Sequence, residues 1–295
     1  MKNKTEIKHR IHAISQTRQI TKAMHLISIA KMKRVMARYQ ANSFYFDHVR
    51  TTLKDILNHS GEMNSQFFTH RKTNRAAYIV IGGDKGLAGG YNHEVIKEAL
   101  RQMKGKDNVY VMSIGQIVNH YFYRHGVHVN MEFLHMSQNP SLYNARTVAE
   151  TLVSLYEQDA LDEVWVVYTH LVAPSVQQPR TIKILPIEKD DFKDVADVSH
   201  YSSELMFFPS IDIVCKGLVT EYLIGIIYAV LVQAFASEQA ARVAAMDSAT
   251  RNATEFIRKL TLEYNQVRQE QITNEIAEIT AGADALLGRH GGLRA

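Results

Sequence analysis

The stretch ASEQAARVAAMD at residues 236–247 lies inside a segment, residues 226–281, that contains neither glycine nor proline. A helix of about 56 residues would extend roughly 84 Å, far beyond the usual length in a globular protein. Apolar residues at three- and four-residue spacing give it a stripe that needs a partner to exclude water. The stripe comprises Ala253, Ile257, Leu260, Tyr264 and Val267, then, after a one-residue slip, Ile272, Ile276, Ile279, Ala283 and Leu286. This pattern indicates a coiled coil, with a long helix in an ordinary bundle as the alternative.

The other end of the chain, residues 1–60, also lacks glycine and proline and predicts a second long helix. Its apolar groups drift around the helix axis, as expected for a helix that winds about an antiparallel partner. Up to Gln40 it carries ten basic residues and a single acid, Glu6. A helix this basic favours an acidic partner, which the charge alone leaves open between nucleic acid, anionic lipid and an acidic protein surface.

The composition of the 295-residue chain predicts a folded protein of one or two domains, with 46% hydrophobic residues and a formal charge of +4. Its single cysteine, Cys215, excludes an internal disulfide and a cysteine-based zinc site. The charged N-terminus does not read as a signal peptide. The most apolar stretch, residues 223–236, is too short to span a bilayer. We therefore expect a soluble intracellular protein with no membrane span.

Between the two long helices the pattern changes to short apolar runs that alternate with helical segments. Strands are predicted at 76–81, 108–114, 127–134, 164–169 and 181–186, and helices at 91–103, 116–124 and 142–158. This alternation favours a small, mainly parallel sheet in an α/β domain. Pro174 and Pro179 are expected in surface loops. The predicted domains are a helix at 1–60, the α/β domain at 61–208, and a helix with a short fraying tail from Leu287 at 209–295.

The glycine-rich sequence GGDKGLAGG at residues 82–90 falls between a predicted strand and helix, where phosphate-binding loops occur. Its spacing matches neither GxxxxGK[ST] nor GxGxxG, so a tight structural turn is the preferred interpretation. The 14 histidines are scattered, and no HExxH or GxSxG motif is present. We expect no catalytic residue, no cofactor site and no metal site. The basic helix lacks base-stacking aromatics before Tyr39, which argues against nucleic acid.

The two ends and the glycine-rich loop together resemble the gamma-subunit family of F-type ATP synthases over nearly the full length. The matching N-terminal text is EIK at 6–8, QITKAM at 19–24 and AKM at 30–32. The matching C-terminal text is ASEQAAR at 236–242, AMD at 245–247, LEYN at 262–265, RQ at 268–269 and IT at 272–273. DKGL at 84–87 and GGYN at 89–92 resemble the family's loop after its first strand.

The resemblance implies an antiparallel, left-handed coiled coil of the terminal helices with an inserted Rossmann-like α/β domain. It implies a rotor inside the hexamer of three alpha and three beta subunits, with the epsilon subunit, the delta subunit and the ring of c subunits in the same complex. Such a rotor couples proton or sodium flow to ATP synthesis at the cytoplasmic face of a bacterial plasma membrane. By this resemblance, Lys22, Met24 and Arg242 match positions beside the acidic lever segment of the beta subunit. Gln269 matches a position on the upper part of the rotor's coiled coil.

Two departures from the family pattern affect these expectations. Phe207 and Phe208 stand where a tyrosine and a glutamate are usual, so the predicted contact with the c ring lacks its carboxylate. The plant-type redox insertion with its cysteine pair is absent, which argues against thiol regulation. A small α/β enzyme that binds a nucleotide near Lys85, and a nucleic-acid-binding coiled coil, are the alternative hypotheses.

Overall fold

The computed structural model describes residues 4–59, 66–71, 75–195, 208 and 210–291. In chain order, one long helix precedes the α/β elements and a second long helix follows them. The helices are α1 (Lys4–His59), α2 (Tyr91–Met103), α3 (Gln116–Arg124), α4 (Leu142–Glu157) and α5 (Ile211–Gly291). The strands are β1 (Ala76–Ile81), β2 (Tyr110–Ile114), β3 (Met131–Phe133), β4 (Glu163–Ala173) and β5 (Val176–Leu185), and a 3₁₀ turn follows at Lys189–Phe192.

The five strands form one sheet in the order β3-β2-β1-β4-β5, with the first three pairings parallel and β4–β5 antiparallel. Strand β1 is buried along its whole length, which explains its unbroken apolar sequence. Its alternate residues face two different packing layers. Ala77, Ile79 and Ile81 join the core against α4 and the long helices, whereas Tyr78 and Val80 pack with residues of α2 and α3. The predicted small, mainly parallel sheet is confirmed.

Four strands differ in extent from the sequence-based prediction, and β4 continues to Ala173 where an end at residue 169 was predicted. Strand β2 starts two residues late because Asn108 adopts a positive φ of 59°. Strand β3 spans three residues where eight were predicted, since only Met131–Phe133 pairs with β2. Strand β5 begins at Val176 and contains Pro179, so the prediction of a loop at that proline was wrong. The strand tolerates proline because β5 is the last strand of the described sheet, and an edge strand can lack one outward N–H.

The chain divides into two compact units, and both long helices contribute to each. The larger unit comprises residues 27–245 and contains the sheet. In it, Phe46 of α1 packs against α5 at Gly225, where an added Cβ would lie 2.5 Å from the Phe46 ring. The predicted domain limits at 60/61 and 208/209 lie close to the end of α1 and the start of α5. As boundaries between domains they remain a prediction.

The smaller unit comprises residues 1–26 and 246–295. Here the hydroxyls of Thr21 and Thr250 lie 2.8 Å apart, and the Lys4 ammonium lies 6.0 Å from the Tyr264 ring. The first pair lies later in α1 and earlier in α5 than the second, so the helices run antiparallel, as predicted. Thr21 is buried whereas the neighbouring Ile20 is 61% exposed.

Helix α5 extends beyond the glycine-free segment 226–281 at both ends, because it continues through Gly217, Gly225 and Gly288. Glycine costs about 1 kcal/mol in a helix interior and does not forbid the helix. Residues 287–291 are helical, residues 292–295 lie outside the described residues, and fraying of the tail remains a prediction. Residues 213–283 of α5 have the length and composition of a membrane span, but 67% of the most apolar window is buried within the fold, as in the core helix of a folded domain.

Candidate functional site

The glycine-rich loop that follows β1 is held on three sides by its own chain. The Gly82 N–H donates to the Ile114 carbonyl at 2.8 Å, and the Gly83 N–H donates to Asn92 Oδ1 at 2.7 Å. Asp84 Oδ1 accepts from the backbone N–H of Gln116 at 2.9 Å, at the start of α3. Two amides that a phosphate would need are thus already occupied, which supports the structural interpretation of this loop.

Helix α5 supplies the fourth side of the loop with an ion pair. The Glu238 carboxylate lies against Gly83, where an added Cβ would sit 3.0 Å from Glu238 Cδ. Arg242 donates to Glu238 Oε1 and also to the carbonyls of Lys85 and Gly86, at 3.3 and 3.1 Å. The pair therefore joins the loop to α5 within the larger unit.

This ion pair is desolvated, with side-chain exposures of 9% for Arg242 and 7% for Glu238. Burial raises the pKa of Glu238, and the hydrogen bond from Arg242 opposes that shift. Asp84 adds to the rise through its own negative charge, and its Oδ2 is buried without a hydrogen bond to any described residue. Sequence reasoning missed this role for Glu238, although a Glu–Arg pair at i,i+4 in an alanine-rich helix was a usable signal.

The four family-implied contact residues occupy different environments. Lys22 and Gln269 are exposed, Met24 is half-buried, and Arg242 is buried with partners in its own chain. Within the smaller unit Lys22 follows Thr21, which meets Thr250, whereas Gln269 lies 19 residues beyond Thr250, or about 28 Å along α5. Lys22 and Gln269 are therefore far apart within the smaller unit, and the contact roles of all four residues remain a prediction.

The two phenylalanines predicted near a ring contact have different outcomes. Phe208 is 92% exposed, which suits a contact residue but does not identify the partner. Phe207 lies outside the described residues. Among the described residues no group of three or more His, Cys, Asp or Glu side chains could hold a metal ion, and the side chain of Cys215 is buried.

Among the described residues, no part of α1 lies beside the last part of α5. Lys4, the first described residue of α1, lies over Tyr264, and α5 then continues to Gly291. Ile272, Ile276 and Ile279 fall on one face of this extension and are 42%, 58% and 72% exposed. In the described structure no other segment covers this face. We call these three residues the isoleucine stripe.

Comparison with known proteins gives consistent results over the length of the chain. A family model described as ATP synthase matches residues 3–286. The ATP synthase gamma chain of Ruminiclostridium cellulolyticum is 43% identical over 292 residues, covering 96% of this chain and 99% of the relative. The sodium-ion-specific ATP synthase gamma chain of Acetobacterium woodii is 33% identical, with 96% and 99% coverage.

Solved structures show the same fold at low sequence identity. A chain of the Euglena gracilis mitochondrial ATP synthase, in an assembly described as OSCP/F1/c-ring in rotational state 3, matches with a TM-score of 0.68 and 16% identity. The match covers 99% of this chain and 96% of the other. A chain of the rotor from the same organism in rotational state 1 matches with a TM-score of 0.64 and 15% identity.

Proposed function

This chain belongs to the ATP synthase gamma-chain family, and we propose that it forms the central stalk that turns inside a hexamer of three alpha and three beta subunits. It is a subunit of a membrane-associated ATP synthase. Its other partners in the complex would be the epsilon subunit, the delta subunit and the ring of c subunits. The finer location that we propose is the cytoplasmic face of a bacterial plasma membrane, on the enzyme's peripheral sector.

The proposed action is mechanical, and the chain itself is non-catalytic. Ion flow turns the ring and the stalk, and an uneven stalk contacts each beta subunit differently at a given angle. A contact that favours one state of a beta subunit shifts that subunit's population between open and closed forms. The occupied amides of Gly82 and Gly83 support the absence of a nucleotide site in this chain.

The observation that carries the proposal is the isoleucine stripe. A helix that exposes an apolar face beyond the end of its partner needs apolar surroundings supplied by another molecule. Those surroundings would fit around α5 alone at the stripe, since no described segment of this chain covers these isoleucines. A sleeve formed by alpha and beta subunits meets that requirement, whereas a nucleic acid does not.

The charges on α1 support a second, acidic partner surface. Lys22 is exposed, and four further exposed bases, Lys31, Lys33, Arg34 and Arg38, lie on α1 within the larger unit. We propose that the acidic lever segment of beta is their target, with Lys22 and Met24 at that contact and Gln269 higher on the stalk. For Arg242 we propose that the contact with beta also involves the glycine-rich loop to which this side chain is hydrogen-bonded.

The test is co-expression of this chain with its alpha and beta subunits, followed by purification of the complex. We expect one copy of this chain for each three alpha and three beta subunits. Replacing the isoleucine stripe together, Ile272→Ser, Ile276→Ser and Ile279→Ser, should sharply reduce assembly or the coupling of ATP hydrolysis to ion transport.

The matched control replaces Glu275 and Glu278, two exposed polar residues of the same segment, by serine, and should leave assembly and coupling intact. Full assembly and full coupling with the triple serine variant would overturn the proposal. If the purified chain bound a nucleotide and did not associate with alpha and beta subunits, that result would favour the enzyme alternative.

A further inference from the structure

The larger unit contains a cavity of about 290 Å³ that the proposed mechanical function does not use. It lies between α1, β5, the 3₁₀ turn and α5. Its apolar lining includes Phe46 of α1, Ile182 and Ile184 of β5, and Ile226 of α5. The volume of about 290 Å³ is just below the usual range of about 300–1,000 Å³ for ligand pockets in proteins, whose walls are mostly apolar.

The cavity exists because α5 presents two small residues on one face. At Gly225 an added Cβ would lie 2.5 Å from the Phe46 ring, so the phenylalanine can approach the helix backbone. One turn later Ala229 also lines the cavity and leaves space that a larger side chain would fill. The small residues at positions 225 and 229 of α5 therefore leave the space for this cavity.

Aromatic rings form two walls of the cavity. Tyr39 of α1 lies with its ring centroid 6.2 Å from that of Tyr228, and Tyr222 of α5 packs against Phe192 at 5.3 Å. Both Tyr39 and Tyr222 line the cavity, and Tyr222 is only 5% exposed. The faces of such rings attract cations within about 6 Å.

The charged groups around the cavity leave an excess of negative charge. Arg50 is neutralised by Asp194 at 2.6 Å, and Lys183 is paired with Glu188. Two carboxylates of the lining remain. They are Asp47, which makes no side-chain hydrogen bond or ion pair with a described residue, and Asp191, which accepts only from the Glu188 backbone N–H at 2.8 Å.

We propose that this cavity binds a small amphipathic organic cation, such as an arylalkyl ammonium compound. The apolar body would enter between Tyr39, Phe46 and Tyr222. The ammonium group would lie toward Asp47, whose negative charge already acts on Tyr39. Burial, followed by the charge of Asp47, raises the pKa of the Tyr39 phenol, and the charge of Arg50 opposes that rise.

The experiment uses the complex purified with its alpha and beta subunits and a pair of nearly isosteric probes. The probes are 2-naphthylmethylammonium and neutral 2-naphthylmethanol, and binding is titrated by saturation-transfer NMR. We expect the wild-type complex to bind the cation more tightly than the alcohol. Asp47→Asn should weaken the cation about fivefold and leave the alcohol unchanged, the effect of one carboxylate–ammonium pair near the surface.

Two further variants locate the site. Ala229→Leu fills the cavity, so neither probe should bind at this site. Glu150→Gln removes an exposed carboxylate of the same unit, outside the cavity, and should match the wild type. The thermal unfolding midpoint of each variant complex checks that folding is retained, and Asp47→Asn stands as the test if Ala229→Leu fails to fold.

Titrations that are identical for the wild type and Asp47→Asn would overturn the proposal, as would equal affinity for the cation and the alcohol. So would binding that survives unchanged in a folded Ala229→Leu complex. Each result would place the probe elsewhere in the assembly. The assay does not depend on ATP hydrolysis, so its failure is distinct from failure of the proposed mechanical function.

Discussion

Arg242 Nη2 donates to Glu238 Oε1 at 2.5 Å, and both side chains are more than nine-tenths buried. The same guanidinium donates to two carbonyls of the glycine-rich loop, so the pair links two parts of the larger unit. A buried ion pair contributes little net stability compared with a well-packed apolar pair, but removal of one partner leaves a costly unpaired charge. The loop's attachment to α5 therefore depends on both members being present.

Replacing the arginine alone should release the loop from α5. For Arg242→Met we expect a loss of about 3–5 kcal/mol in the opening free energy of the loop, because Glu238 is left buried and unpaired. Hydrogen exchange of amides 82–90 in the assembled complex measures that energy. The matched control is Arg251→Met, which breaks an exposed i,i+4 pair with Asp247 and should cost less than about 1 kcal/mol.

The double variant Glu238→Gln, Arg242→Met separates charge from packing. Since it leaves no unpaired charge, its loop should open less readily than that of Arg242→Met alone. Equal exchange in the two variants would show that Arg242 acts through packing only.

A methyl group added at Gly115 should disturb the loop far more than one added at Gly86. Gly115 has a φ of +105°, and its Cβ would lie 2.4 Å from the Gly82 carbonyl oxygen, which is backbone and cannot move aside. At Gly86 nothing lies within 4 Å. We expect Gly115→Ala to lower the unfolding midpoint of the complex by several degrees and Gly86→Ala to leave it nearly unchanged, by thermal denaturation.

Equal midpoints for these two alanine variants would contradict the close approach of the two strand ends. Retained stability in Gly115→Ala would mean that the backbone at 82–83 can shift. The loop would then be less firmly held than its hydrogen bonds indicate.

Glu98 gives the chain a pH-dependent contribution to stability. Its hydrogen bonds, first from Arg101 and then from Gln102 and Thr181, lower its pKa from 4.5 to about 2. Because the folded-state pKa is depressed, the contribution is fully present above about pH 4.5 and is lost as the pH falls toward 2. The unfolding midpoint of Glu98→Gln should therefore fall less than that of the wild type between pH 5 and pH 3.

The measurement is thermal unfolding of both proteins at a series of pH values and constant ionic strength. Glu150→Gln, which removes an exposed carboxylate, serves as the control and should follow the wild-type curve. If the midpoints of wild type and Glu98→Gln changed in parallel with pH, Glu98 would have the same pKa in the folded and unfolded chain. The prediction would then be wrong.

Interrupting α5 should damage assembly wherever the helix is paired. Proline at Ala244 or at Ile257 removes a backbone hydrogen bond and clashes with the preceding turn, at a cost of about 3 kcal/mol or more. We expect loss of the complex or loss of coupling, measured by co-purification and by ATP-driven ion transport. Ala244→Gln, at an exposed position of the same helix, and deletion of residues 292–295 should both be tolerated.

A proline variant that assembles and couples normally would show that α5 transmits no force through that turn. A truncated chain that fails to assemble would assign the last residues a role that the family resemblance does not imply.

Patterns that one segment carries by itself could be predicted from the sequence. Strand β1 was placed correctly because all six of its residues are apolar and both ends are marked by a change of pattern. The two long helices were recognised from the absence of glycine and proline. The glycine-free segment 226–281 alone underestimates the length of α5, because Gly217 and Gly225 lie inside this helix, and Gly225 lets Phe46 of α1 approach closely.

Features that depend on pairing between distant segments could not be predicted. Pro179 fits a strand only because β5 turns out to be an edge. The apolar residue Ile20 is exposed while Thr21 is buried, because the hydroxyl of Thr21 meets Thr250 across the helix pair. The sequence offered for Arg242 only the family-implied contact with the beta subunit, and only the folded loop supplies the carbonyls that it binds.

The isoleucine stripe has a consequence for the chain before it finds its partners. A newly made copy carries Ile272, Ile276 and Ile279 in contact with water, and such surfaces are what chaperones and proteases recognise in orphan polypeptides. Supply of the surrounding subunits should therefore set how much of this protein a cell can keep. Surplus copies would be degraded or would aggregate instead of accumulating as a free pool.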